Sequence, residues 1–203
     1  KVAVAWLHSA PFFDENKSMQ RSVLAIIGLA AGSLLFGMQG GKLPGWAGGA
    51  KVEATAVGQT PNSAKFGERV YFAGQPSAKD LAEYAKLGVK TVVNLRMPNE
   101  MEGVGFDEAA AVKAAGMRYV SVPFGATMPG DGELAKIYAE LNKAGEGKVL
   151  LHCASSNRAG MVWAVYRGEQ HGVAGEPALA EGKAAGLKSP ALEKLTREKL
   201  GLK

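Results

Sequence analysis

Cysteine occurs once in the 203 residues and histidine three times. A single thiol cannot close an intrachain disulfide and excludes a thiolate-rich zinc site. His8 and His171 have no partner at metal-ligand spacing, so neither metal nor cofactor is expected. No internal repeat is visible. Aromatic residues are only 7%. None interleaves with the basic C-terminal tail, which argues against a single-strand nucleic-acid groove. That tail (Lys183, Lys188, Lys194, Arg197, Lys199 and Lys203 against Glu193 and Glu198) carries most of the net charge of +5. Its charges alternate with Leu192, Leu195 and Leu200, the pattern of a solvated amphipathic helix face, and no nucleic-acid partner is expected.

A long apolar run is also missing. The longest, in "RSVLAIIGLAAGSLLFG" (21–37), is about fifteen residues, short for a bilayer span and suited to the core of a secretory signal. Met19 and Arg21 precede it as a signal requires. Residues 1–18 read as an upstream segment, 19–50 as a signal peptide or membrane anchor with a tether through 22–38, and 51–65 as a linker. Export to the periplasm, or anchoring at the outer face of the inner membrane, follows as an expectation.

What remains, 66–203, is regular. With 47% hydrophobic and 21% charged residues, the composition is that of a globular protein with a packed core. "RVYFAG" (69–74), "KTVVNLR" (90–96), "RYVSVP" (118–123) and "KVLLHC" (148–153) read as strands. Helical patterns follow each. One is opened by a capping-box pair, Ser77 and Asp80, and stopped by Gly88. The others run over 107–115, 130–145 and 158–172. Strand and helix alternate, which predicts an α/β fold: a central, mostly parallel sheet with helices on both faces.

The lone cysteine sits in "LLHCASSNRAG", where the last strand gives way to its helix. Ligands of open α/β sheets bind beyond the carboxyl ends of strands, beside helix N-termini. Free N–H groups and the helix dipole stabilise an anion there, and a thiolate is one. A thiol pKa of about 8.5 falls to roughly 3.5–7.5 in such surroundings. Ala154, Ser155, Ser156 and Asn157 are small enough for the backbone to curl around an oxyanion. Arg158 offers a bidentate guanidinium. His152 is expected to orient the loop from behind. His152, Ala154, Ser155, Ser156, Asn157 and Arg158 thus form the expected substrate-binding set around Cys153.

"HCASSNRAG" resembles the His-Cys…Arg loop of cysteine-dependent phosphatases. With "YFAGQPSAKDLAEYAKLGVKTVVNLR", "HCASSNRAGMVWAVYR" and "ALAEGKAAGL", residues 66–200 resemble the phosphatase-like domain of beta-lactamase hydrolase-like proteins, related to dual-specificity and tyrosine phosphatases. The resemblance implies a cysteine-phosphatase-like fold, Cys153 as nucleophile, Arg158 as phosphate binder and a cysteinyl-phosphate intermediate. The implied substrate is a phosphorylated small molecule or phosphoprotein. Four residues separate Cys153 from Arg158, where the phosphatase superfamily has five. Ser156 replaces its mid-loop glycine, and Ala159 replaces the hydroxyl residue after the arginine. A six-residue loop with Cys first and Arg last also resembles rhodanese-type sulfurtransferases, in which the cysteine carries a persulfide. A catalytically idle anion-binding module is the third reading.

A phosphatase of this kind needs a proton donor for the leaving oxygen. By resemblance it is an Asp on a loop upstream of the cysteine. "PFGATMPGDGE" (123–133) offers Asp131, which is equally placed to cap the helix that follows; Glu133 is the weaker substitute. Arg96 and Glu100 are expected to pair with one another or to brace the loop.

Overall fold

The computed structural model describes residues 50–203; the upstream, leader and tether expectations on 1–49 lie outside them. Four parallel strands make up most of the sheet: β3 (Val70–Ala73), β4 (Val89–Asn94), β5 (Arg118–Ser121) and β6 (Lys148–His152). Two antiparallel strands, β1 (Val52–Ala54) and β2 (Ala64–Phe66), extend it, giving the order β1-β2-β3-β6-β4-β5. The stretch 51–65, expected as a linker, therefore contributes β1 and the first two residues of β2 to the sheet. Each of these strands is three residues long, too short to display the period-2 alternation that marks a strand in sequence.

The expected helices are present and cover both faces. α1 (Ala78–Lys86) and α3 (Glu108–Ala114) lie on one side; α4 (Asp131–Asn142), α5 (Asn157–His171), α6 (Gly175–Ala184) and α7 (Pro190–Lys199) lie on the other. A short helix, α2 (Pro98–Met101), follows β4. Ser77 and Asp80 close the capping box at the start of α1, as read from the sequence. Four tail cations pair with carboxylates: Lys183 with Glu193, Lys194 with Glu198, Arg197 with Glu176, and Lys199 with Glu169.

Strand parity sorts the core. In β3, Val70 and Phe72 face α5 while Tyr71 and Ala73 face α1. In β6, Val149 and Leu151 face α5 and Leu150 the other side. Side chains alternate across a strand, so the next odd position, Cys153, inherits the α5 side. That parity aims the sulfur toward the start of the helix following it.

α5 is buried from Arg158 to Arg167 without a break, as expected of a helix enclosed on all sides. Trp163 anchors it, with ring centroids 4.9 Å from Phe66 and 5.0 Å from Phe72. Its first turns pack against α6 backbone to backbone. A Cβ at Gly160 would overlap the Gly182 carbonyl oxygen and lie 2.6 Å from Leu187 N. Neither neighbour is a flexible side chain, so the helices would have to separate. Gly160→Ala is expected to destabilise the fold by about 1–3 kcal/mol, read as a lower urea midpoint with an unchanged m-value.

Candidate active site

The strand β6 ends at His152, and Cys153 follows with its N–H donating to Ala73 O at 3.3 Å. Its side chain is 1% exposed, yet it forms part of the floor of a cleft of about 480 Å³. Ser155, Asn157 and Arg158 line the same cleft. Met97, Asn99 and Glu100 form one wall, Gly125 and Ala126 a second, and Ser189, Ala191 and Leu192 a third. Gly160 N–H makes the α5 bond to Ser156 O. The amides of Asn157, Arg158 and Ala159 precede it, among those that a helix start leaves without intrahelical partners.

The loop is fastened by its backbone and by side chains. Gln75 N–H donates to Ala154 O at 3.1 Å, and Asn62 Nδ2 to Ser155 O at 3.2 Å. Ser156 adopts a left-handed conformation, φ 68°, where phosphatase loops resembling this one carry glycine. It is fully buried, and its hydroxyl donates to Ala185 O at 2.7 Å. The Asn157 carboxamide oxygen accepts the N–H groups of Lys188 and Ser189, both at 2.7 Å. Two of the residues expected to bind substrate thus spend their side chains on scaffold contacts, and only Asn157 of the pair also borders the cleft. Ala154 does not border it, and its carbonyl is taken by Gln75.

Arg158 is held by three groups. Nη1 donates to Glu100 Oε2 at 2.8 Å, Phe124 O at 2.7 Å and Leu95 O at 3.2 Å; Nη2 donates to Glu100 Oε1 at 2.6 Å. A guanidinium has five N–H donors. These bonds exhaust Nη1 and half of Nη2, leaving Nε–H and the second Nη2–H for Cys153 and for an oxyanion beside it. Burial works against the charge of Arg158, but the Glu100 carboxylate and the Cys153 sulfur outweigh it and hold its pKa above the ordinary value. Glu100 is correspondingly held below the usual carboxylate range, first by Arg158 and then by Met97 N–H and Arg96 against the opposing effect of burial. Glu100 therefore braces the loop through Arg158, and its pairing with Arg96 is the looser contact at 3.8 Å.

His152 lies behind the loop, wholly buried on the opposite sheet face, and does not line the cleft. Its Nε2 is 3.3 Å from Glu108 Oε1, an ion-pair distance outside hydrogen-bond geometry. Glu108 accepts bonds from Gln75, Asn94 and Tyr119 at 2.7, 2.6 and 3.1 Å. Burial pushes the Glu108 pKa up, but His152, Gln75 and Tyr119 together take it below the ordinary value. Gln75 Oε1 accepts from Arg96 Nη1 at 2.6 Å, and Arg96 Nη2 donates to Glu100 O at 2.5 Å. A polar chain thus runs from His152 through Glu108, Gln75 and Arg96 to Glu100 and Arg158. Sequence reasoning missed Glu108, Gln75 and Asn94, because a polar residue's burial depends on what packs over it.

Asp131 is not brought to the cleft. It is the first residue of α4, with its side chain 98% exposed and 3.7 Å from Lys199 Nζ. Nor does it cap the helix: the N-cap is Gly130, without a side-chain bond. The upstream loop presents Gly125 and Ala126 instead, which carry no proton to donate. Among the described residues Glu100 is the single carboxylate bordering the cleft, and its bonds to Arg158 keep it ionised. Among the described residues no cluster of side chains could hold a metal ion, and no helix is long and apolar enough to cross a membrane.

The sequence model of the family described as "Beta-lactamase hydrolase-like protein, phosphatase-like domain" matches residues 65–170. Two curated beta-lactamase hydrolase-like proteins of Xylella fastidiosa, strains Temecula1 and 9a5c, are each 31% identical over 100 residues, covering 48% of this chain. The match spans 23% of their length. Among solved structures, P. aeruginosa TpbA is similar at 27% identity and a TM-score of 0.60, covering 74% of this chain and 91% of TpbA. A cysteine-to-serine form of TpbA in complex with pTyr gives 26% identity and a TM-score of 0.56, covering 77% and 90%.

The Glu100–Arg158 pair has a signature in acid. A carboxyl whose folded pKa lies below its ordinary 4.5 contributes stability that is complete above that value and lost as pH falls through the folded pKa. Glu100→Gln is expected to cost about 1.5–3 kcal/mol at neutral pH. It should also flatten the fall in stability below pH 4.5, measured by urea unfolding in a pH series. An acid limb of unchanged steepness would mean that Arg158 does not depend on this carboxylate.

Proposed function

The chain belongs to the family of phosphatase-like domains of beta-lactamase hydrolase-like proteins, and we propose that it hydrolyses phosphate monoesters through Cys153. The observation that carries this reading is the placement of the Cys153 sulfur on the cleft floor, beside Arg158 and the first turn of α5. The thiolate attacks phosphorus, the ester oxygen leaves with its electron pair, and water then hydrolyses the cysteinyl phosphate, releasing inorganic phosphate and the thiolate. Nε–H and Nη2–H of Arg158, with the loop amides, stabilise the equatorial oxygens as charge develops.

The cleft offers the leaving oxygen no carboxylic acid, so esters whose alcohol departs unprotonated are favoured. Aryl phosphates meet that condition, and the apolar walls of Met97, Ala191 and Leu192 suit an aromatic ring. The complex of the TpbA variant with pTyr supports the same class. The leader-like run at 21–37 supports export and action on substrates outside the cytoplasm.

A sulfurtransferase reading has its own support, in the six-residue loop and in a cleft that, among the described residues, is bordered by no carboxylic acid. Attack of the Cys153 thiolate on the sulfane sulfur of thiosulfate would expel sulfite, a leaving group that needs no proton. The resulting persulfide would pass its outer sulfur to cyanide, giving thiocyanate and the thiolate. One pair of assays decides between them: hydrolysis of p-nitrophenyl phosphate, and thiocyanate formation from thiosulfate and cyanide. Aryl phosphate hydrolysis, reduced by at least about 10³-fold in Cys153→Ser, is the expected outcome. Thiocyanate formation alone would replace the first reading with the second. Neither activity would leave an anion-binding module.

A further inference from the structure

The catalytic loop contains a bend that its own sequence does not favour. Ser156 has φ 68° and is completely enclosed. An L residue with a side chain rarely takes that conformation unless its surroundings impose it. Here they are supplied by the 185–189 connection between α6 and α7. Ala185 O takes the Ser156 hydroxyl at 2.7 Å. A Cβ at Gly186, itself at φ 116°, would lie 2.5 Å from Ser156 Cβ, so this connection approaches the bend as closely as glycine allows. The next residue of the loop grips the connection in return, since Asn157 Oδ1 receives both Lys188 and Ser189 N–H.

The connection also reaches across the loop. Lys188 Nζ donates to Asn62 Oδ1 at 3.2 Å, and Asn62 Nδ2 donates to Ser155 O at 3.2 Å on the far side. Asn157 Nδ2 donates to Ser155 Oγ at 3.1 Å. Residues 155–157 are therefore fastened at both edges. The left-handed bend decides where the amides of the first turn of α5 point relative to Cys153.

We propose that Asn157 is a positioning residue, whose carboxamide ties the 185–189 connection to the loop and so holds Ser156 in the bend that aims the loop amides at an oxyanion beside Cys153. The inference rests on the anion-binding part of the reading above, not on hydrolysis itself. Asn157 acts through Ser156. A glycine at 156, which takes φ above zero without strain, should therefore make the tie dispensable.

The test uses the full chain and tungstate as the probe oxyanion, with p-nitrophenyl phosphate hydrolysis measured alongside. Asn157→Ala is expected to weaken tungstate binding by about 10- to 100-fold. Ser156→Gly combined with Asn157→Ala should recover most of that loss, while Ser156→Ala, which keeps the strain and loses the hydroxyl, should resemble Asn157→Ala. Loss without recovery in the double variant would make Asn157 a direct ligand and overturn the proposal, as would wild-type affinity in Asn157→Ala. Should Asn157→Ala fail to fold, a folded double variant that binds tungstate supports the proposal, and one that does not fold overturns it. Tungstate binding that follows this pattern with no aryl phosphate hydrolysis would sink the phosphatase reading and leave the tie standing. No tungstate binding by the wild type would overturn both.

Discussion

Arg158 is aimed by what it cannot let go. Its Nη1 nitrogen is saturated by Glu100, Phe124 O and Leu95 O, and its Nη2 is tied to the same carboxylate. A long side chain with about 2 kcal/mol of rotamer freedom is thereby reduced to one orientation before any ligand arrives. The donors left over all lie on one edge. A partly buried ion pair of this kind is weak evidence of stability, since desolvation offsets much of its attraction. What it supplies is direction: on the proposed reading, an oxyanion would meet a guanidinium already oriented by its protein partners, with no reorganisation needed.

The brace is itself braced. Glu100 sits on α2, a helix of four residues with no buried side chain of its own, and such an element has little to hold it in place. Arg96 compensates by bonding the Glu100 carbonyl and, through Gln75, reaching Glu108 and the buried His152. The last residue of β6 and the one after it thus serve different faces. His152 is anchored in the polar chain behind the sheet, and Cys153 faces forward into the cleft. Moving that chain by one position along β6 would exchange the faces, because the side-chain period of a strand is two.

Much of the fold could be read in advance from the alternation of apolar runs and helical spacing. Apolar runs closed by Gly or Pro, followed by helical spacing, located β3 to β6 and their helices, and placed Cys153 at a strand end beside Arg158. Direction within the loop was not readable. Nothing in "ASSN" distinguishes a serine that faces an anion from one whose hydroxyl reaches Ala185 O, because the partner lies 29 residues away. Asp131 was misplaced for a related reason. The loop before α4 does reach the cleft, but with Gly125 and Ala126; by Asp131 the chain has entered the helix and turned to solvent. Arg96 and Glu100 were partly legible, expected to pair or to brace the loop, but the stronger bond joins Glu100 to a residue 58 positions on.

The charges around the cleft floor bear on how it selects a ligand. Glu100 and Arg158 cancel formally, so a dianion entering beside the Cys153 sulfur is not drawn by net positive charge. On the proposed reading its stabilisation would come from aligned dipoles, meaning the amides at the start of α5 and the remaining edge of the guanidinium, which favour an anion only when its oxygens fall on their axes. Net charge would attract any anion from a distance and is weakened by salt, whereas aligned donors act at contact and reject a misfit. Dropping one residue between Cys153 and Arg158, relative to the phosphatase loops this one resembles, shortens the arc on which those donors sit. Loop curvature, and so the bend at Ser156, becomes the variable that sets which anion fits.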